Sequence, residues 1–142
     1  PIVPIRVMGT SQSACLILVV DDSRTLRAAF GSYLETNGYL VSSVESVEHA
    51  IPVLESFEPH AVLLDSVLPG AIGLTLAEKI RKTDKFKHIK IIAMSGDDAM
   101  ERLAGMVKSQ YDVFLKKPFP MRKLLETLAL LLPKTETAGA DF

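Results

Sequence analysis

Five short apolar runs separated by stretches of helical spacing constrain the fold of this chain more than any other feature. The runs are CLILVV (15–20), YLVSSV (39–44), AVLL (61–64), IKIIAM (89–94) and YDVFL (111–115). Each has strand length and is rich in β-branched residues. Leu26, Ala29, Phe30, Tyr33 and Leu34 then follow an i, i+3, i+4, i+7, i+8 pattern, stopped by Asn37-Gly38. Ala50, Val53, Leu54 and Phe57 give a second helix with Ser46 as N-cap. Pro52 falls inside it and removes a backbone donor, so a kink or a late start is expected there. Leu76, Ala77 and Ile80 mark a third helix, and Met100, Leu103, Ala104 and Val107 a fourth. Met121, Leu124, Leu125, Leu128 and Leu132 mark a fifth, whose leucines read as core rather than a zipper.

The pattern is (βα)5, an α/β fold. Alternating strands and helices imply a parallel sheet covered on both faces, and strands buried on both faces are apolar throughout, as these are. Crossovers are expected to be right-handed. Residues 1–13, with two Pro, a Gly and a Ser/Thr/Gln cluster, read as a leader or linker; residues 14–132 form the domain, and 133–142 a polar tail. A chain of 142 residues suffices for one domain with a real core. The formal net charge of −1 offers no basic excess for nucleic acid. Cys15 is the sole cysteine, which rules out an internal disulfide, and its place at the head of an apolar run reads as core. No apolar run approaches the roughly 20 residues of a membrane span. The N-terminus lacks the apolar region of a secretory signal, so a cytoplasmic location is expected.

In LVVDDSRT (18–25) a buried-looking run ends in two adjacent carboxylates, Asp21 and Asp22. At about 4 Å and an effective dielectric of about 20, two such charges repel by about 4 kcal/mol. Either the pair lies in open water or a cation belongs between them. The remaining polar residues sharpen the choice. Asp65 follows the third strand, Ser95 the fourth and Lys117 the fifth. All sit at the carboxyl ends of strands, the edge where open α/β sheets bind ligands. Three carboxylates with no thiol or histidine cluster suit a hard cation, Mg²⁺ above all. Asp65 is then a candidate nucleophile, because carboxylates form phosphoryl intermediates. A hydroxyl (Ser95) and an ammonium (Lys117) suit the remaining phosphoryl oxygens, and Gly96 leaves room for a bulky anion.

Four motifs in order, VVDDS, LLDSVLPGAIG, AMSG and FLKKPF, make the chain resemble a response-regulator receiver domain of two-component signalling, in the CheY-like superfamily. The likeness covers about residues 14 to 132, and the intervals between the motifs resemble the family's as well. It implies a doubly wound, flavodoxin-like parallel sheet with strand order 2-1-3-4-5. It makes Asp65 the phosphoacceptor, with Mg²⁺ held by Asp21, Asp22, Asp65 and the carbonyl of Val67. Ser95 takes the switch-hydroxyl position and Phe114 the aromatic switch position. The motif lysine is Lys117, directly before Pro118, rather than Lys116, and the Lys117–Pro118 bond is expected to be cis. Pro69 and Gly73 match the turn after the acceptor. Val67 and Asp97 occupy variable positions where the family tunes dephosphorylation. The implied partners are a sensor histidine kinase or phosphotransfer protein and a downstream effector. The implied output surface is the fourth helix, fifth strand and fifth helix, with Ala104, Met106, Val107 and Tyr111 near it and a homodimer as one use of it.

Plainer readings exist for each residue. Asp22 or Ser23 could simply cap the first helix, Ser95 the fourth; Asp65 could be a turn residue, Lys117 a solvated lysine and Phe114 a core aromatic. These readings must all fall on one sheet edge by accident. His49, His60 and His88 lie away from that edge and read as surface or structural. Two rival functions remain: a receiver-fold docking module that is not phosphorylated, and a phosphohydrolase with an aspartyl nucleophile. The latter wants D-x-D after its first strand, where this chain has DDS and no room for a cap domain. A DNA-binding regulator would need an output domain and a basic surface. The chain reads as a stand-alone receiver or a piece of a longer protein, a signalling domain acting only on its own Asp65.

Overall fold

The computed structural model describes residues 14–65, 67–68, 71–96 and 110–133. Its strands are β1 (Leu16–Val20), β2 (Leu40–Val44), β3 (Ala61–Asp65), β4 (Lys90–Ser95) and β5 (Val113–Lys116). They form one parallel sheet in the order β2-β1-β3-β4-β5. The helices are α1 (Arg24–Thr36), α2 (Val47–Phe57), α3 (Leu74–Lys82) and a C-terminal helix, Met121–Leu131. The expected fourth helix, with Met100, Leu103, Ala104 and Val107, lies outside the described residues, as do Pro69, Asp97 and Met106.

Strand alternation divides the interior into two cores. Ile17, Val19, Leu63, Ile92, Met94 and Leu115 meet Phe30 and Leu34 of α1 and Leu124 and Leu128 of the C-terminal helix on one face. Leu18, Val20, Val62, Leu64 and Ile91 meet Ala50 and Leu54 of α2 and Leu76, Ala77 and Ile80 of α3 on the other. This is the doubly wound α/β arrangement. The central strands have both faces covered, which is why their sequences show no polar alternation. Each fully buried leucine contributes about 1.5–3 kcal/mol relative to exposure.

Local signals set the ends of the helices. The Leu26 N–H donates to Ser23 Oγ at 3.1 Å and the His49 N–H to Ser46 Oγ at 3.2 Å, so both serines are N-caps. Ser23, not Asp22, takes that role in α1. Gly38 (φ 96°) closes α1: its N–H donates to the Glu35 carbonyl and the Tyr39 N–H to the Leu34 carbonyl, the paired bonds of a Schellman stop.

Several expectations are corrected. Helix α2 starts at Val47 and runs through Pro52 without interruption. Ala29 and Leu130, both counted as core, are exposed; Leu130 is 87% accessible. Leu124, Leu128 and Leu132 follow the buried face, and Leu130 points away from it at 3.6 residues per turn. Strand β2 begins at Leu40 rather than Tyr39, and β5 at Val113 rather than Tyr111, although the Asp112 N–H already donates to the Ile91 carbonyl of β4. Val67–Leu68 and Ala71–Ile72 form a small antiparallel ribbon where only a turn was expected. Cys15 is buried as expected, and burial pushes its thiol pKa up. No helix among the described residues is long and apolar enough to cross a membrane.

Candidate functional site

The carboxyl edge of the sheet is built by extending the strand ladder past each strand. The Asp21 N–H donates to the Val44 carbonyl, so the residue after β1 is still held by β2. Asp65 ends β3 opposite Met94, and Ser95 ends β4 opposite Lys116. The Lys117 N–H donates to the Ser95 carbonyl at 2.9 Å, which carries the ladder one residue beyond β5. Four strand ends thereby bring together groups far apart in sequence.

Asp21 is fully buried, Asp65 and Ser95 nearly so, and Asp22 is exposed. Carboxylate oxygens of Asp21, Asp22 and Asp65 lie within 4.8 Å of one another. Lys117 Nζ donates to Asp21 Oδ2 at 3.0 Å and stands 3.7 Å from Asp65 Oδ2. Lys117 is half-buried and Lys116 exposed, so the choice between the adjacent lysines falls on Lys117. Asp21 Oδ1 accepts the Ser23 N–H at 2.9 Å, which locks the buried carboxylate against the start of α1. Among the described residues, one ammonium, that of Lys117, faces these three carboxylates.

The donor set fits a hard divalent cation. It is all oxygen, and an ion with ligands at about 2.1 Å joins oxygens up to about 4.2 Å apart, close to the spacing found here. A Cβ at Gly96 would meet Lys117 only at ordinary contact distances of 3.6 and 3.7 Å. Packing among the described residues therefore does not require glycine at that position. Val67 sits in the ribbon two residues beyond Asp65. Gly73 caps α3 through its carbonyl, which accepts from Leu76 and Ala77. The Lys117–Pro118 bond is cis. Phe114 is half-buried, with its ring centroid 6.2 Å from that of Tyr111 and the planes tilted by 55°.

Two of the three histidines, His60 and His88, just precede β3 and β4 and so lie at the amino edge, whereas His49, expected to lie away from the carboxyl edge, stands in the first turn of α2, which follows the carboxyl end of β2. His60 is at the opposite end of β3, where its Nδ1 accepts the Leu16 N–H at 2.9 Å. His49 pairs with the Ser46 hydroxyl at 2.6 Å, and His88 is exposed. One contact had no motif to announce it. Arg27 of α1 donates from Nη1 to the backbone carbonyl of Asp21 at 2.8 Å. Its only signal in the sequence is its place one turn after the N-cap, where a side chain can reach back to the strand end.

The family model of the response regulator receiver domain matches residues 17–129. The chain belongs to this family. A response regulator MprA of Mycolicibacterium vanbaalenii is 34% identical over 119 residues, covering 84% of this chain and 51% of that protein. One from Mycobacterium bovis is 33% identical over 124 residues, covering 87% and 53%. The chain thus spans about half the length of the curated relatives it matches. The chemotaxis response regulator CheY4 of Vibrio cholerae superimposes with a TM-score of 0.77 at 23% identity, over 84% of this chain and 100% of that one, a likeness of fold. A CheY-like receiver domain from Methylobacillus flagellatus gives 0.76 at 27% identity, over 84% and 100%. This receiver domain is a signalling module of a two-component response regulator.

Proposed function

We propose that this receiver domain accepts a phosphoryl group on Asp65 in a Mg²⁺-dependent reaction. The donor is a phosphohistidine on a sensor kinase or phosphotransfer protein. The observation that carries this reading is the meeting of Asp21, Asp22 and Asp65 within 4.8 Å, with Lys117 Nζ 3.7 Å from the Asp65 carboxylate. Asp21, Asp22, Asp65 and the carbonyl of Val67 would hold the metal. Mg²⁺ supplies charge neutralisation for the incoming phosphoryl oxygens.

An Asp65 carboxylate oxygen attacks phosphorus in line with the P–N bond. That bond breaks, its electron pair stays on the departing imidazole, and an acyl phosphate forms on Asp65. Lys117 is already on the carboxylates, so its ammonium meets the new charge with little reorganisation. The Ser95 hydroxyl donates to a phosphoryl oxygen, and Phe114 turns into the space that this movement leaves. Moving such a switch from 1:99 to 99:1 takes about 5.5 kcal/mol of differential stabilisation. Output passes to an effector through β5, the C-terminal helix and the segment between β4 and β5, a surface also suited to a homodimer. Residues 14–132 form the working unit, in the cytoplasm, with 1–13 as a leader or linker and 133–142 as a polar tail.

Intact mass after incubation with Mg²⁺ and acetyl phosphate tests the reading. A single phosphoryl adduct is expected in the wild type, lost with chelator and in Asp65→Ala. Absence of the adduct under all conditions, with beryllofluoride also failing to bind, would leave a docking module in its place.

A further inference from the structure

We infer that Arg27 is a positioning residue for the acidic pair: by clamping the carbonyl between Asp21 and Asp22 it makes two neighbouring carboxylates converge on one cation. The inference rests on the metal-site reading above and adds a residue to it.

The geometry that needs explaining is the convergence itself. Successive side chains in an extended strand project to opposite faces. Asp21 and Asp22 are successive, directly follow β1, and nonetheless present oxygens within 4.8 Å of each other and of Asp65. The peptide that joins them must therefore leave the strand plane. Its orientation is set by the rotation of the Asp21 carbonyl, and that carbonyl is the atom Arg27 holds at 2.8 Å.

The rest of Asp21 is already fixed. Its N–H is on the Val44 carbonyl, Oδ1 on the Ser23 N–H and Oδ2 on Lys117 Nζ. The carbonyl is the remaining polar atom, and its turn decides where Asp22 points. Arg27 is itself placed by the first turn of α1, its N–H donating to the Ser23 carbonyl at 2.9 Å. Strand end, N-cap and arginine thus form one closed frame around the pair.

Two effects of Arg27 on a cation oppose each other. Its positive charge repels the ion, and its clamp organises the ligands. Removing a group that orients metal ligands commonly costs 10- to 100-fold in affinity. The charge term is softened because the guanidinium is spent on a carbonyl rather than on a carboxylate. The clamp therefore dominates, and loss of Arg27 weakens binding although it removes a positive charge.

The experiment is Mn²⁺ binding to the full 142-residue chain, followed by the loss of the free-ion paramagnetic resonance signal, with a thermal melt of each protein. Arg27→Ala is expected to bind about tenfold more weakly than wild type. Arg27→Lys, which keeps a charged donor, should recover most of the loss, and Arg27→Gln, which keeps a neutral donor, part of it. Arg24→Ala is the control: it removes the same charge from an exposed position in the first turn of the same helix, and should bind as wild type does. Equal or tighter binding by Arg27→Ala overturns the inference, as does an equal loss in Arg24→Ala. If Arg27→Ala does not fold, Arg27→Met, which keeps the apolar stem but has no donor, decides: wild-type affinity in it overturns the clamp. Failure of the wild type itself to take up Mn²⁺ is a different result, which removes the metal site and the inference with it.

Discussion

The two edges of the sheet handle charge in opposite ways. At the amino edge, the ion pairs among the described residues each join one cation to one anion, and two of them stand in water. Lys85 meets Glu55 at 2.8 Å with both side chains more than half exposed, and Lys87 meets Asp84 at 3.4 Å. Arg81, more enclosed, bonds Asp112 at 2.6 Å and the Ile89 carbonyl, while Asp112 also accepts the Ile91 N–H. At the carboxyl edge three carboxylates crowd around one ammonium, and two of them are buried. Burying like charges is unfavourable for folding alone. The first edge is built for stability; the second, among the described residues, gathers more negative than positive charge.

Substitutions at the two edges should therefore separate binding from stability. The largest effect belongs to Asp65→Ala, which should abolish the acetyl phosphate adduct, while Asp112→Ala keeps it; loss in both would erase the distinction. Next, Arg81→Ala should cost about 1.5–3 kcal/mol in denaturant unfolding, because Asp112 and two carbonyls lose a charged donor. Its gain in stability on adding Mg²⁺ should match the wild type's, about 2.7 kcal/mol at a hundredfold excess over Kd. A smaller Mg²⁺ gain would show that the edges are coupled. Lys85→Ala should leave the melt unchanged, since exposed pairs contribute little.

A further small effect, seen only with pH, concerns Cys15, at the amino end of β1. Burial raises its thiol pKa above the unfolded value of about 8.5. The folded chain then holds the proton that the unfolded chain releases. The contribution is fully present below that value and is lost as pH rises through the folded pKa. Wild type should lose more stability than Cys15→Ala across that alkaline window, and parallel curves would count against the burial.

Much of this was legible in the sequence because it depends on periodicity and position. Strand-length runs fixed the layers, Ser23 and Ser46 supplied caps, and Asn37-Gly38 announced its stop. The residues at the candidate site could be named because strand ends must share an edge. What escaped obeys other physics. Leu130 and Ala29 are apolar, so composition hid that their angular positions face water. A ribbon of two-residue strands is too short to show a period. Arg27 and Arg81 act on backbone carbonyls, and a lone arginine on a helix looks the same whether it is solvated or clamped. Pro52 cost less continuity than its missing donor suggested, since α2 runs on to Phe57.

The central claim is that Asp65 carries the phosphoryl group. Borohydride reduction of the phosphorylated chain, followed by peptide mass analysis, addresses it most directly, because reduction converts an acyl phosphate to an alcohol at the modified residue. The account requires a Mg²⁺-dependent alcohol at position 65 alone. A reduction product at Asp21 or Asp22, or a borohydride-resistant phosphate on Ser95, would contradict it.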